Sequence, residues 1–302
     1  MIENKKRCVD VLCIGIGCYD LVFGVDHHFG PDEKGFASSF ISCGGGVASN
    51  AAVAVVRLGY QAAYSGYLGN DIYGEEHIQE LRKEGVITDW VVRGKSPTPL
   101  SVLLVKPDGV RTVVNYRHNT PCLKKESVDF QNCQAKVILF DGHEPDISFP
   151  VAEYARKHGI KTILDAGSLH AGTKKMVNMV DYLITSERFA RDFTSEEDEE
   201  KAVEKLSKEH ASVVITLGER GLIWKKNQTT GRLPALKIHC VDSTGAGDAF
   251  HGAFAAGLAC GMEWEKLLRY ANAAGALCCT RFGGRPGIPT HQEVDRFLNE
   301  VQ

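Results

Sequence analysis

The chain has 302 residues, 43% of them hydrophobic and 24% charged, with a formal net charge of −3. That composition is ordinary for a globular domain, and it lacks the basic surplus that nucleic acid or an anionic membrane surface would call for. No apolar run approaches the ~18 residues needed to span a bilayer. Ten cysteines, none spaced Cys-x-x-Cys, give no zinc or thioredoxin pattern. Several, such as Cys13 and Cys260, sit inside apolar runs as small hydrophobes, and a reducing, cytoplasmic setting is expected.

In chain order, the N-terminal "VDVLCIGIG" (9–17) reads as a first strand rather than a signal peptide. A polar, glycine-containing segment leads to "GFASSFISCGGG" (35–46). A helix of small residues follows over 48–59, closed by Gly59. A strand is expected over 62–69 and an amphipathic helix over 73–86. "TPLSVLLVKPDGVRTVVNYRHN" (98–119) reads as two strands turning at "KPDG". From residue 135 strands and helices alternate regularly, through "AKVILFDG", "SFPVAEYARKHG", "IKTILDAG", "DYLITS", a charged helix and "ASVVITLG". Helices over 248–260, 263–280 and from about 290 complete the chain. The alternation predicts one α/β domain over 1–302, with a doubly wound, mostly parallel sheet covered by helices. Segments 35–43 and 98–117 stand outside it and are expected to form a small antiparallel lid. The exposed edges of such a lid invite pairing across a two-fold axis, so a homodimer is expected.

Two long glycine-rich stretches lie roughly 200 residues apart, "GGGVASNAAVAVVRLG" (44–59) and "VDSTGAGDAFHGAF" (241–254). Together with "GYLGNDIYGEEHIQELRKEGV", "TLGERG", "ANAAGAL" and "IPTHQEVDRFL", in this order, they resemble the ribokinase-like (PfkB) carbohydrate kinases over essentially the whole chain. The resemblance implies a ribokinase-like fold and transfer of the ATP γ-phosphoryl group to a sugar hydroxyl, usually a primary one, with Mg2+ on the nucleotide.

Phosphoryl transfer needs alignment, charge neutralisation and a destination for the hydroxyl proton. Backbone N–H groups of Gly245, Ala246 and Gly247 suit the transferring phosphate, because small residues let the backbone approach. The resemblance makes Asp248 the base, and the field of the helix N-terminus is expected to keep it ionised. It also implies sugar contacts from Asp20, Gly45, Gly46 and Asn50. Thr216, Gly218, Gly221 and Gly245 would serve the triphosphate, and Asn272 the adenine. Asp242 and Thr244, with carbonyls from 278–287, match a monovalent-cation site of the K+ type.

The chain departs from the family pattern at several positions. Cys18 stands where Asn is common and Val47 where Lys is common, which removes two polar sugar contacts. Ser186 and Phe189 replace the ends of the Asn-x-x-Glu element, leaving Glu187 to reach Mg2+ through water. Lys34, Asn115, Arg117 and His118 of the lid are the replacements on offer for the sugar pocket. A Lys and an Arg there suit an anionic ketose, and "GGRPGIP" and "LITSE" look like the sulfofructose kinase branch. A ketose or pentose is thus the expected acceptor, with fructose, ribose and sulfofructose in view. A nucleoside of the adenosine type is the alternative within the same fold. A dehydrogenase would need Gly-x-Gly-x-x-Gly after the first strand, where "GIGCYD" supplies only half. A non-catalytic sugar sensor would have no use for Asp248 behind an intact Gly-Ala-Gly turn.

Overall fold

The computed structural model describes residues 7–117 and 119–301; His118 lies outside the described residues. The chain opens with β1 (Arg7–Ile14), β2 (Cys18–Gly24), β3 (Ser39–Gly45) and helix α1 (Val47–Arg57). Next come β4 (Ala62–Ser65), β5 (Tyr67–Gly69), α2 (Ile72–Glu84), β6 (Val92–Gly94) and the hairpin β7 (Leu100–Val105) and β8 (Arg111–Tyr116). The alternating region runs β9 (Cys133–Phe140), α3 (Pro145–His158), β10 (Lys161–Ala166), α4 (Ala171–Met176), β11 (Tyr182–Ser186), α5 (Glu187–Thr194), α6 (Glu199–Leu206) and β12 (Ser212–Thr216). A hairpin, β13 (Leu222–Lys226) and β14 (Thr229–Leu233), precedes α7 (Ala246–Ala259), α8 (Trp264–Cys278), α9 (Gly284–Gly287) and α10 (His291–Glu300).

Eight strands form the main sheet in the order β14-β13-β12-β11-β10-β9-β1-β4, parallel except at β12–β13–β14. Side chains alternate across it. Val11 and Cys13 of β1 pack with α1, α7 and α8, whereas Leu12 and Ile14 pack on the opposite face with α3 to α6. Both faces are therefore buried, which is why these strands read as continuous apolar runs. The chain leaves β1 toward β4 on one side and returns through β9 on the other, so a crevice opens at their carboxyl ends. Asp141, just after β9, holds that crevice by accepting hydrogen bonds from the N–H groups of Ile16, Ala48 and His143.

The lid is a separate four-stranded sheet, β3-β2-β7-β8. It is not wholly antiparallel as expected: β2 pairs with β7 in parallel, because β2 is fed directly from β1. The strand expected over 35–43 runs Ser39–Gly45, and residues 31–38 form a loop. The single charged helix expected after 195 is the short α6. Ser195, in the left-handed conformation, separates it from α5, whose N-cap is Ser186. No helix among the described residues is long and apolar enough to cross a membrane.

Helices α1 and α7 both carry small residues on their facing sides, and they meet closely. A Cβ on Gly252 would lie 2.5 Å from the Ala51 carbonyl and 2.6 Å from the Ala54 Cβ. This contact brings the two glycine-rich motifs, far apart in sequence, to one place.

Candidate active site

Helix α7 starts at the Gly-Ala-Gly turn. Gly245 is its N-cap with φ 76°, a left-handed conformation that glycine adopts without strain. No side chain caps the helix; the Ala246 N–H leans on the Ser243 carbonyl at 3.4 Å, and the other N–H groups of the turn remain for a ligand. A Cβ on Gly247 would meet nothing within 4 Å, so the turn faces open space.

That space is a cleft of about 760 Å3. Thr216, Gly218, Gly221 and Asn272 line it together with Ala246 and Gly247. The Asn272 amide donates to the Pro234 carbonyl at 2.9 Å, which fixes it at the wall. The lid reaches the same place. Gly109, at the tip of the β7–β8 hairpin, accepts from the Ser243 hydroxyl at 3.1 Å, and Arg111 donates to the same Ser243 oxygen.

Gly247 and Phe250 of α7 line the cleft, whereas Asp248 between them does not and is engaged elsewhere. Its Oδ2 accepts from the Asn50 amide at 2.8 Å. The Asn50 carbonyl oxygen is in turn held by Arg285, through Nε at 3.2 Å and Nη2 at 3.1 Å. Arg285 is buried and also reaches Ser49, His77 and Glu80. Because Arg285 has only donors, it fixes which end of the Asn50 amide faces Asp248. His77 accepts from Arg285 through Nε2, and burial together with that cation holds its pKa well below the usual histidine range.

Asp248 does not stay in the ordinary carboxylate range as the helix field suggested. Burial, then the nearby Asp165 carboxylate, push its pKa up to about 7, against the opposing pull of Asn50 and His251. The dipole of one helix end contributes less than enclosure beside another carboxylate.

The lid supplies the facing wall. Asp20, Ser101 and Asn115 sit in register across β2, β7 and β8. The Ser101 hydroxyl donates to the Asn115 carbonyl oxygen at 2.9 Å, and the Cys18 thiol donates to Asp20 at 3.1 Å. Asp20 is buried, which raises its pKa while Cys18 and Arg285 oppose the rise. A Cβ on Gly45 would lie 2.1 Å from Asp20 Oδ2, so this glycine makes room for the carboxylate. Gly46 is the N-cap of α1 at φ 97°.

Other expected residues are placed apart. Arg117 donates to the buried Glu144 at 2.6 Å and to the His143 carbonyl at 3.2 Å, so its charge is already paired. Lys34 is exposed on the 31–38 loop and makes no hydrogen bond or ion pair among the described residues. Glu187 is ion-paired with Arg220 at 2.5 Å. No group of three His, Cys, Asp or Glu side chains suited to a metal ion occurs among the described residues.

Asp242 is fully buried. It accepts from the N–H and hydroxyl of Thr244 at 2.8 and 2.6 Å and from the Gly283 N–H at 2.9 Å, clamping two loops together. The carbonyls of Thr244 and Gly284 converge on the Cys278 thiol at 3.5 and 3.6 Å.

Four residues at this centre were not singled out from the sequence: Ser101, Arg285, Asp165 and His251. The first three meet partners far along the chain, with the "GGRPG" turn marking only the neighbourhood of Arg285, whereas His251 lies within "VDSTGAGDAFHGAF" and bonds Gly247 four residues away.

A glycine-lined helix N-terminus on a polyanion-sized cleft, with a carboxylate of raised pKa beside it, is the arrangement of a phosphotransferase that acts on an alcohol. Residues 9–291 match the pfkB family carbohydrate kinase model, and the chain belongs to that family. It is 30% identical to the ribokinase of Bacillus subtilis, over 96% of this chain and 99% of that one. It is 29% identical to the probable fructokinase-5 of Arabidopsis thaliana, over 89% and 94%. The structure of Arabidopsis thaliana ribokinase complexed with ribose and ATP superposes with a TM-score of 0.82, at 25% identity and covering 97% of this chain and 99% of that one. The fold is ribokinase-like, and the protein is a carbohydrate kinase.

Proposed function

We propose that the chain transfers the γ-phosphoryl group of ATP to a primary hydroxyl of a neutral ketose or pentose, fructose or ribose being the two that its named relatives suggest. The observation that carries this reading is the 2.8 Å bond between Asn50 and Asp248, which joins the lid-side motif to the phosphate-side turn. ATP lies in the cleft beside Thr216, Gly218, Gly221 and Asn272, and the N–H groups of Gly245, Ala246 and Gly247 take the charge of the transferring group. Asp20, Asn50 and Asn115 bind sugar hydroxyls, and Gly45 and Gly46 keep the backbone close. Asp248 accepts the hydroxyl proton as the new O–P bond forms. Closure of the lid over the sugar excludes water.

Mg2+ bound with ATP would neutralise its phosphates; Glu187, paired with Arg220, is a poor candidate to hold it. K+ belongs to the same reading, beside Asp242 and Thr244; the Thr244 and Gly284 carbonyls there accept from the Cys278 thiol and would have to turn from it to hold a cation. The anionic ketose of the sulfofructose type is less well served, because Arg117 is paired with Glu144 and Lys34 stands alone. Exposed Phe36, Phe40, Val114 and Tyr116 on the lid support a homodimer formed through it.

A screen of ADP release from Mg-ATP over ribose, fructose, phosphorylated ketoses, deoxy-ketogluconate, sulfofructose and adenosine tests the assignment. Turnover with fructose or ribose is expected. Turnover with adenosine alone would replace it with a nucleoside kinase.

A further inference from the structure

Behind Asp248, and one turn along α7, lies a second buried pair that the reaction as described does not use. His251 Nδ1 is 2.7 Å from the Gly247 carbonyl and 3.0 Å from Asp165 Oδ2. Both side chains are almost wholly enclosed, at 4% and 5% exposure. Since both neighbours of Nδ1 are acceptors, Nδ1 carries the proton and shares it between them. The second nitrogen, Nε2, is buried with no partner.

Asp165 closes β10 at the carboxyl edge of the sheet, on the crevice that also holds Asp141 and Asp248. The other titratable groups facing this centre are Asp20 and Cys18 from β2, His143 beyond β9 and Cys278 of α8. Carboxylates dominate that set, and crowding them in low dielectric is relieved by proton uptake, as at Asp141 and Asp248, or by a nearby cation. His251 is the titratable cation of the cluster that touches one of the carboxylates directly.

We propose that His251 is a positioning residue, held as an imidazolium by Asp165. It anchors the Gly247 carbonyl, and so the Gly-Ala-Gly turn, while its charge keeps the Asp165 carboxylate from making Asp248 too reluctant to ionise. Burial alone would lower the His251 pKa, and a protonated Nε2 finds no acceptor, but Asp165 and the Gly247 carbonyl act the other way and the direction is upward. The inference rests on the reading of Asp248 as base.

The pair predicts unequal effects of two near-isosteric variants. His251→Asn keeps a donor for the Gly247 carbonyl but removes the positive charge, so the acid limb of the pH–kcat/KM profile should move to higher pH. Asp165→Asn removes the negative charge and releases the histidine proton with it, so the same limb should move far less. The shift in His251→Asn is expected at about one pH unit, the effect of a unit charge within roughly 10 Å at an effective dielectric constant near 20. A purely structural role would lower kcat without moving the limb. Equal shifts in the two variants, or no shift in His251→Asn, would overturn the proposal.

A second measurement needs no turnover. The His251 imidazole resonance, assigned by its loss in His251→Asn, should titrate above about 6.5 in the wild-type protein and fall in Asp165→Asn. A titration at or below that value overturns the charge pair. If no sugar turns over in the wild type, the kinase reading fails, while the histidine titration still decides this one.

Discussion

Replacing Asp248 by Asn should abolish phosphoryl transfer and at the same time make the fold more stable above neutral pH. The Asn50 amide donates to Asp248 Oδ2, and an Asn side chain can accept that bond through its own oxygen. What disappears is the ionised form. A carboxyl raised from 3.8 to about 7 corresponds to an upper figure of ~4 kcal/mol against ionisation in the folded state. Asp248 keeps some contact with solvent, so about 2 kcal/mol is the expected part. For a chain of this length that is roughly 4 °C in Tm.

The sign depends on pH. A carboxyl whose folded pKa lies above its unfolded value holds its proton more tightly when folded, so wild-type stability declines as pH rises from about 4 to about 7 and is flat above. The variant should therefore exceed the wild type in Tm at pH 8 and keep less than half of that advantage at pH 5. Differential scanning fluorimetry in matched buffers reads both. A variant less stable than the wild type at pH 8 would refute the claim that this carboxylate is held at a cost to the fold.

Three further outcomes follow from particular contacts. Gly252→Ala places a Cβ 2.5 Å from the Ala51 carbonyl, forcing α1 from α7; overpacking of this kind costs about 1–3 kcal/mol. An ~1 Å displacement of Asn50 from Asp248 should lower kcat by about 100-fold, read by steady-state kinetics. Replacing K+ by tetramethylammonium in the assay should lower kcat several-fold, since a quaternary ammonium cannot take carbonyl oxygens as close ligands beside Asp242 and Thr244; unchanged activity would remove the cation from the site. Val114→Lys on the exposed outer strand of the lid should shift the protein from dimer to monomer in analytical ultracentrifugation, with the α/β body still folded.

The two glycine-rich motifs were legible in the sequence because runs of glycine mark backbone that must turn or be closely approached. Gly245 needs a left-handed φ, and Gly45 must leave room for Asp20 of the neighbouring strand. The strands of the main sheet were legible because burial on both faces makes them apolar throughout. Strand β2 was not, since "CYDLVFG" is short, carries a carboxylate and finds its parallel partner β7 about 80 residues later. The β13–β14 hairpin turns at Asn227 with φ 53°, without the glycine pair that usually announces such a turn. At the site, Asp248 and Asn50 could be singled out, but Arg285 could not. It meets Asn50 across 235 positions, and only the folded chain reveals that it sets the direction of that amide. The surroundings of Arg117 and Lys34 were not legible for a related reason. Their charge is visible in the sequence, but the burial of Glu144 beside one and the open loop around the other are not.

The most direct test of the whole reading is sugar-dependent ADP release by the wild type and by Asp248→Asn, with ATP binding to both followed by calorimetry. The wild type should release ADP only when fructose or ribose is present. The variant should bind ATP with similar affinity and lose roughly 100-fold or more in turnover. Wild-type rates in the Asn variant, or ADP release by the wild type that is indifferent to every sugar, would contradict it.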